Sequence, residues 1–502
     1  MLAEKSEYDY TVAVYEGIFE RELRGLETVY NPKLEQRLFN EIMELLVTHY
    51  GGGLGENELD TEMARLQHAF EFGRRSHTAQ LRKSGEPYFF HPLRVAHLAA
   101  RHWMDFSSVI AALLHDVVED TPVTLEDVGE QYGDDVALLV NGLTKADDKR
   151  LNRQSLKEKT YRKQLLAAVE DVRVLCLKFW DRIDNLRTIG ALSAEKQQLI
   201  AEETRTIYVP LASHLGMGYV ADELEALSLN VLYSKRARRY RDFLELTKSR
   251  QEPFLRKIKS TVHSSLDSHK INFSLNDRWR SFSLIATQTM RRGLQTLYTL
   301  EILVGHRMEA YMALGLVHDL YPPITGKLRD HLNAPSQFGY QALKTTVQAG
   351  ESRLRIEITT RKLARFNESG VLAPGFEFRH TNFKNLMHSL LEGESAFDAE
   401  SLRLASRTIQ VYTPRGELFT LPEGSSVLDF AFNIHVELGL HAISARVNGR
   451  TRHLKSRLMD SDQVAIETTQ IPAVLPKWLE WAVTPRARNS IRRYLRDKVK
   501  LS

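Results

Sequence analysis

Apolar residues recur at helical spacing through most of the first half of the chain. Within residues 1–50, Leu38, Ile42 and Leu46 mark one helix face, and GGGLG (51–55) breaks the pattern as a hinge or loop. From about 58 to 245 the pattern stays helical, clearest in MARLQHAFEFGRRSH, VAHLAARHW, VIAALLHDVV, LEDVGEQYG and VRVLCLKFWDRIDNLRTI. Strand-like runs come later. TLYTLEILV (296–304) and RLRIEIT (353–359) flank a helical YMALGLVHDLY (311–321), predicting a mixed α/β domain. RTIQVYTPRGELFTL (407–421) predicts a hairpin about Pro414-Arg415-Gly416. The helical SVLDFAFNIHVELG and the strands ISARVNG and VAIET follow, an order that suggests a small β-grasp module.

The 502 residues therefore read as a multidomain α+β chain. The expected parts are a helical extension (1–55), an all-α domain (56–220), connecting helices (221–250), a mixed α/β domain (251–391), a polar linker (392–405), the β-grasp module (406–470) and a basic helical tail (471–502). Hydrophobic content of 43% and charged content of 26% are ordinary for a soluble protein, and a net charge of +4 implies no partner by itself. The single cysteine, Cys176, excludes an internal disulfide and reads as a buried hydrophobe in VRVLCLKFW. The N-terminus carries no secretory pattern and no apolar run is long enough to span a bilayer, so no membrane partner and a cytoplasmic address are expected.

One stretch breaks the apolar pattern. HDVVEDT (115–121) sets three carboxylates and a histidine directly after VIAALL. Burying such charge without a counter-charge costs several kcal/mol, so either the face is open or something cationic lies against it. With 109–121 read as one helix, His115 and Glu119 share a face, as do Asp116 and Asp120, while Val117 and Val118 point into the core. His and Asp suit a divalent cation. Taken alone, a solvated acidic helix face is the simpler reading.

Two distant segments change that. RKSGEPYFFHPLRVAHLAA (82–100) puts His91 at a helix start, where Pro92 suits the first turn, and KFWDRIDNLRTI (178–189) carries Asp181, Asp184 and Asn185 within one turn. A His, a His-Asp pair and a remote Asp on three helices resemble the HD-domain phosphohydrolases. The three motifs in this order, with YGDDVALLVNGLTKADD and YVPLASHLGMGYVADELEALS, resemble the RelA/SpoT family over about 60–500. That resemblance makes 56–220 a hydrolase domain for the alarmones ppGpp and pppGpp, removing the 3′-pyrophosphate. It implies that His91, His115, Asp116 and Asp181 hold Mn²⁺ and that Glu119 and Asp120 position and deprotonate water. It also implies that Arg82, Lys83, Ser84, Asn185 and Thr188 bind the nucleotide. Trp180 stands where the family has a small residue, an expected change in pocket shape. His77, His97 and His102 read as surface or core histidines.

The resemblance makes 251–391 a synthetase domain, with Tyr340 of FGYQALKT at the position that stacks on guanine. Its acids are missing. Thr296 stands in place of an aspartate and Arg355 in place of a Mg²⁺-binding glutamate, with Glu357 two residues on. NDRWRSFSL and ESGVLAPGF replace two further motifs. The expectation is a degenerate synthetase. Residues 406–470 resemble the TGS module, which in relatives engages tRNA and the ribosome or regulators. The basic tail could bind phosphates or be a solvated helix end. Two alternatives stay open: a non-catalytic ribosome- or regulator-binding protein, and a hydrolase of another nucleotide.

Overall fold

The computed structural model describes residues 32–146, 153–279, 294–335, 339–373, 408–414, 416–422, 424–459 and 462–501. The chain divides into two compact units, one running to Lys145 and taking in Asp171–Gln197, the other formed by Ala146–Glu170 and everything from Gln198 onward. The first 31 residues, the 392–405 linker and Arg415 of the expected turn lie outside the described residues.

The first unit is helical. Pro32–Tyr50 buries Phe39, Ile42 and Leu46, so the stripe runs through Phe39, and Leu38 is only half-buried. At the centre lies Phe106–Leu114, capped by Asp105, whose carboxylate accepts from Ser108 N at 2.9 Å. All but one of its nine residues are buried, as expected of a helix that is apolar all round. It packs against Phe90–Arg101, which buries Leu93, Val95 and Ala96. Arg173–Arg187 completes this core with Leu175, Phe179 and Ile183.

The expected single helix over 109–121 is not formed. Phe106–Leu114 ends before His115, His115 and Asp116 form a turn, and a short helix Val117–Asp120 follows. Val117 is buried, but Val118 is half-buried rather than in the core. The charged pair thus sits where the apolar helix ends, with its backbone still close to helical (His115 φ −62°, ψ −30°).

The second unit contains the helices Gly218–Leu232 and Ser234–Ser268 and two five-stranded sheets. The first sheet takes β1 (Phe273–Trp279), β2 (Tyr298–Val304), β3 (Arg329–Asp330), β4 (Leu343–Ala349) and β5 (Ser352–Thr360) in the order β1-β2-β5-β4-β3, with only β2 and β5 parallel. The expected strand from 296 begins instead with a helical turn, Leu294–Leu297, which contains Thr296. On one face Leu300, Ile302, Ile356 and Ile358 join a core with Leu255, Val262, Ala313 and Val317 from the helices Ser234–Ser268 and Arg307–Leu320.

The second sheet takes β6 (Thr408–Tyr412), β7 (Leu418–Pro422), β8 (Ala442–Val447), β9 (Arg450–Arg452) and β10 (Asp462–Thr468) in the order β7-β6-β10-β8-β9. A parallel β6/β10 pair lies at its centre, with a helix between hairpins in sequence, as the β-grasp pattern predicts. That helix is Val427–Ile434, opened by a Ser426/Asp429 capping box, and extended backbone at His435 separates it from Val436–Leu440. The tail forms the helix Pro485–Leu501, which buries Ala487 and Ile491 in the core of this part.

Candidate metal centre

Three elements bring His91, His115 and Asp116 together. Each offers a ligand atom, and these atoms lie within 4.8 Å of one another. His91 enters from the second position of its helix and His115 and Asp116 from the turn that ends the buried helix. Asp181 arrives from Arg173–Arg187, with Oδ1 3.1 Å from His91 Nε2.

Second contacts fix both imidazoles. His115 Nδ1 lies 2.8 Å from the Ala112 carbonyl, an acceptor, so Nδ1 carries the proton and Nε2 presents a lone pair. Nε2 is buried, finds no hydrogen-bond donor among the described residues and faces Asp116 Oδ1 at 3.3 Å. A buried imidazole nitrogen this close to a carboxylate oxygen calls for a positive charge, from a proton on the ring or from a metal ion, so the donor set fits a cation. His91 Nδ1 lies 2.7 Å from Asp184 Oδ2, a carboxylate that also accepts from Arg94 Nε at 2.6 Å and from Arg82 Nη1 at 3.3 Å. This carboxylate–histidine arrangement turns His91 Nε2 toward Asp116 and Asp181.

The electrostatics agree. Burial alone would lower His91, but hydrogen bonds to Asp181 and Asp184 outweigh it and push the ring up to about 9: without a metal, a proton supplies the charge. Burial would raise Asp181, yet Lys178, at 2.7 Å from Oδ2, and His91 hold it well below the usual carboxylate range. Asp184 is held low in the same way by Arg94 and His91 against its burial.

The two expected water-handling carboxylates are tethered differently. Glu119 accepts from the backbone N of Lys145 at 2.5 Å and from its Nζ at 2.6 Å. Asp120 is exposed and meets the Tyr88 hydroxyl at 2.5 Å. Among the expected nucleotide contacts, Arg82 Nη2 donates to Asn185 Oδ1 at 2.8 Å and Nη1 to Thr188 Oγ1 at 3.3 Å, so these three converge. Asn185 also donates to Asp181 Oδ1 at 2.5 Å, linking that group to the metal set. Lys83 is exposed and Ser84 half-buried, in the turn that the Gly85 N–Arg82 O bond closes.

Trp180 does not reshape this pocket. It is fully buried, donates to Met104 Sδ at 3.3 Å and stacks on His102. His77 and His97 are buried as expected, against Tyr88 and Glu41 respectively. The residues without an expected role are Asp184, Arg94, Glu86, Tyr88 and Lys145. Asp184 and Arg94 each sit three positions after a candidate ligand, one helical turn away, which is the signal that marks them.

In the second unit, the sheet face opposite its apolar core is charged. Glu301 and Glu357 are register partners on the central strands β2 and β5, and both are buried. Arg278 bridges them at 3.2 and 3.4 Å, and Asn276 donates to Glu301 at 3.1 Å. Tyr340 donates its hydroxyl to Glu357, and Lys344 Nζ lies 3.7 Å from the centre of the Tyr340 ring.

Comparison with known proteins agrees with this layout. A family model described as HD domain matches residues 69–218, one described as a region found in RelA / SpoT proteins matches 276–374, and one described as TGS domain matches 409–468. A guanosine-3′,5′-bis(diphosphate) 3′-pyrophosphohydrolase of Aquifex aeolicus is 34% identical over 93% of this chain and 68% of its own length. The chain belongs to the RelA/SpoT family. The bifunctional (p)ppGpp synthase/hydrolase SpoT of Escherichia coli K12 is 31% identical over 92% of this chain and 68% of its own. A probable GTP pyrophosphokinase of Mycobacterium leprae is 36% identical over 86% of this chain and 58% of its own. Relatives thus carry names for both degradation and synthesis. Among the described residues, no helix is long and apolar enough to cross a membrane.

Proposed function

We propose that the chain is a Mn²⁺-dependent 3′-pyrophosphohydrolase that converts ppGpp and pppGpp, with water, to GDP or GTP and pyrophosphate. The observation that carries this reading is the cluster of His91, His115 and Asp116, whose ligand atoms lie within 4.8 Å of one another, with Asp181 Oδ1 3.1 Å from His91 Nε2. His91, His115, Asp116 and Asp181 hold the ion, which when bound lowers the pKa of its water toward about 7. An all nitrogen and oxygen donor set suits Mn²⁺. Glu119 and Asp120 orient the water and accept its proton. Arg82, Lys83 and Ser84 bind the guanosine end, with Asn185 and Thr188 holding the Arg82 guanidinium in place.

In this reading the synthetase domain makes no alarmone. Phosphoryl-type transfer needs acids free to hold Mg²⁺ and cations free to meet phosphates. Here Glu301 and Glu357 are bound to Arg278, and Tyr340 is bound at its hydroxyl and covered by Lys344. The TGS module and tail are assigned to an RNA or regulator partner on the strength of their exposed Arg446, Arg450, Arg452, Lys455, Arg492 and Arg493. The test is turnover of ppGpp by pure protein with and without Mn²⁺. Release of pyrophosphate only with the metal is expected, and its absence in both arms would refute the reading.

A further inference from the structure

Tyr88 lies three residues before His91, and its side chain touches both halves of the proposed machinery. Its hydroxyl is 3.0 Å from Asp116 Oδ2, on the metal side, and 2.5 Å from Asp120 Oδ2, on the water side. A phenol has one proton to give. Both neighbours are carboxylate oxygens, so the hydroxyl donates to one at a time, and the shorter contact is the one to Asp120.

The ring is fixed by more than packing. It stacks on His77 with centroids 4.8 Å apart and planes 20° from parallel. Gln80 Nε2 donates to the Asp120 carbonyl at 3.0 Å, which turns Gln80 Oε1 toward His77 Nδ1 at 2.8 Å, and Tyr88 N donates to Gln80 O at 2.9 Å. The segment 77–88 therefore grips Asp120 twice, by its backbone through Gln80 and by its carboxylate through Tyr88. His77 works here as a platform.

We infer that Tyr88 is a positioning residue that ties Asp116 to Asp120, so that the water-handling carboxylate is held in register with the metal site. This rests on the hydrolase reading for its rate effect, but not for its effect on metal binding. Exposed at the surface and last in a four-residue helix, Asp120 has little else in its own element to fix it.

The test compares wild type, Tyr88→Phe, Asp120→Asn and the double variant, all as the full chain. Mn²⁺ affinity is read by calorimetry, and ppGpp turnover at saturating Mn²⁺ is read as kcat and KM. Tyr88→Phe keeps the ring and its stack, so thermal unfolding is expected to match wild type. Mn²⁺ affinity should fall about 10-fold and kcat about 10- to 100-fold with KM unchanged, the range for losing a group that orients metal ligands. The double variant should turn over no more slowly than Asp120→Asn alone, because Tyr88 acts through Asp120. Metal affinity and kcat both within twofold of wild type would overturn the inference while leaving the hydrolase reading intact. So would fully additive losses in the double variant. A wild type that binds Mn²⁺ yet leaves ppGpp untouched would sink the hydrolase reading, and the Mn²⁺ titrations would still decide whether Tyr88 orders Asp116.

Discussion

His115 presents its Nε2 lone pair to Asp116 Oδ1 across 3.3 Å, with the other ring nitrogen committed to the Ala112 carbonyl. The relationship is repulsive unless a cation joins the two. The site is therefore organised around a positive charge, which a proton or a metal ion can supply.

Replacing His115 by Ala removes one of the two converging ligands. Mn²⁺ binding should weaken at least about 100-fold and ppGpp turnover should be lost, while the fold persists because the ring makes one hydrogen bond among the described residues, at the helix end. Calorimetric Mn²⁺ titration beside a pyrophosphate-release assay checks this. Unchanged turnover would exclude His115 as a ligand.

Asp184 carries a different penalty. Asp184→Asn leaves the half-buried Arg94 with Glu86 as its remaining counter-charge and removes the buried carboxylate that orients His91. A loss of about 3–5 kcal/mol in stability, as for a broken buried pair, should accompany a 10- to 100-fold loss in metal affinity. Denaturant unfolding and Mn²⁺ titration of the same variant separate the two effects. A variant as stable as wild type would show that the Arg94–Asp184 pair contributes little.

Arg82 is expected to act on binding. Arg82→Lys keeps the charge but cannot reach Asn185 and Thr188 with two nitrogens at once. KM for ppGpp should rise about 10-fold or more with a smaller change in kcat, as steady-state kinetics would show. A fall in kcat alone would move Arg82 from substrate binding to the chemistry.

Incubation with ATP, GDP and Mg²⁺ should yield no ppGpp above a no-enzyme control. Glu357→Gln, which releases part of the hold on Arg278 and Tyr340, should not restore synthesis, because Thr296 and Arg355 still replace the expected acids. Product seen by anion-exchange chromatography in either protein would contradict the assignment.

The sequence made some of this legible and not the rest, for physical reasons. The candidate ligands could be picked out because HDVVEDT is conspicuous against a buried apolar helix and its partners lie in recognisable segments. The break at His115-Asp116 could not, since both residues keep near-helical dihedrals and no Gly or Pro marks the turn. Nothing in the sequence ties Tyr88 to HDVVEDT, and only the fold brings its hydroxyl to Asp120. In the second unit, alternation along β2 and β5 places Glu301 and Glu357 on one face, but their register as neighbours is a product of parallel pairing across more than 50 residues. Trp180 shows the opposite error: a large residue beside a ligand suggested a remodelled pocket, but its ring turns into the core against Met104 and His102.

Glu368, on the helix Arg361–Ser369, gives the second unit a pH dependence. Burial, and then the charge of Glu301, push Glu368 up from 4.5 to about 7. A folded-state pKa above the unfolded one means that the folded form binds the proton more tightly. The stabilising contribution is thus complete below about pH 4.5 and is lost as pH rises through 7. The shift corresponds to at most about 3 kcal/mol, less for a side chain that is only half-buried. Thermal unfolding followed from pH 5 to 8 should show the midpoint of the second unit falling as pH rises. Glu368→Gln, neutral throughout, should flatten that fall. Parallel slopes for the two proteins would place the pH dependence elsewhere.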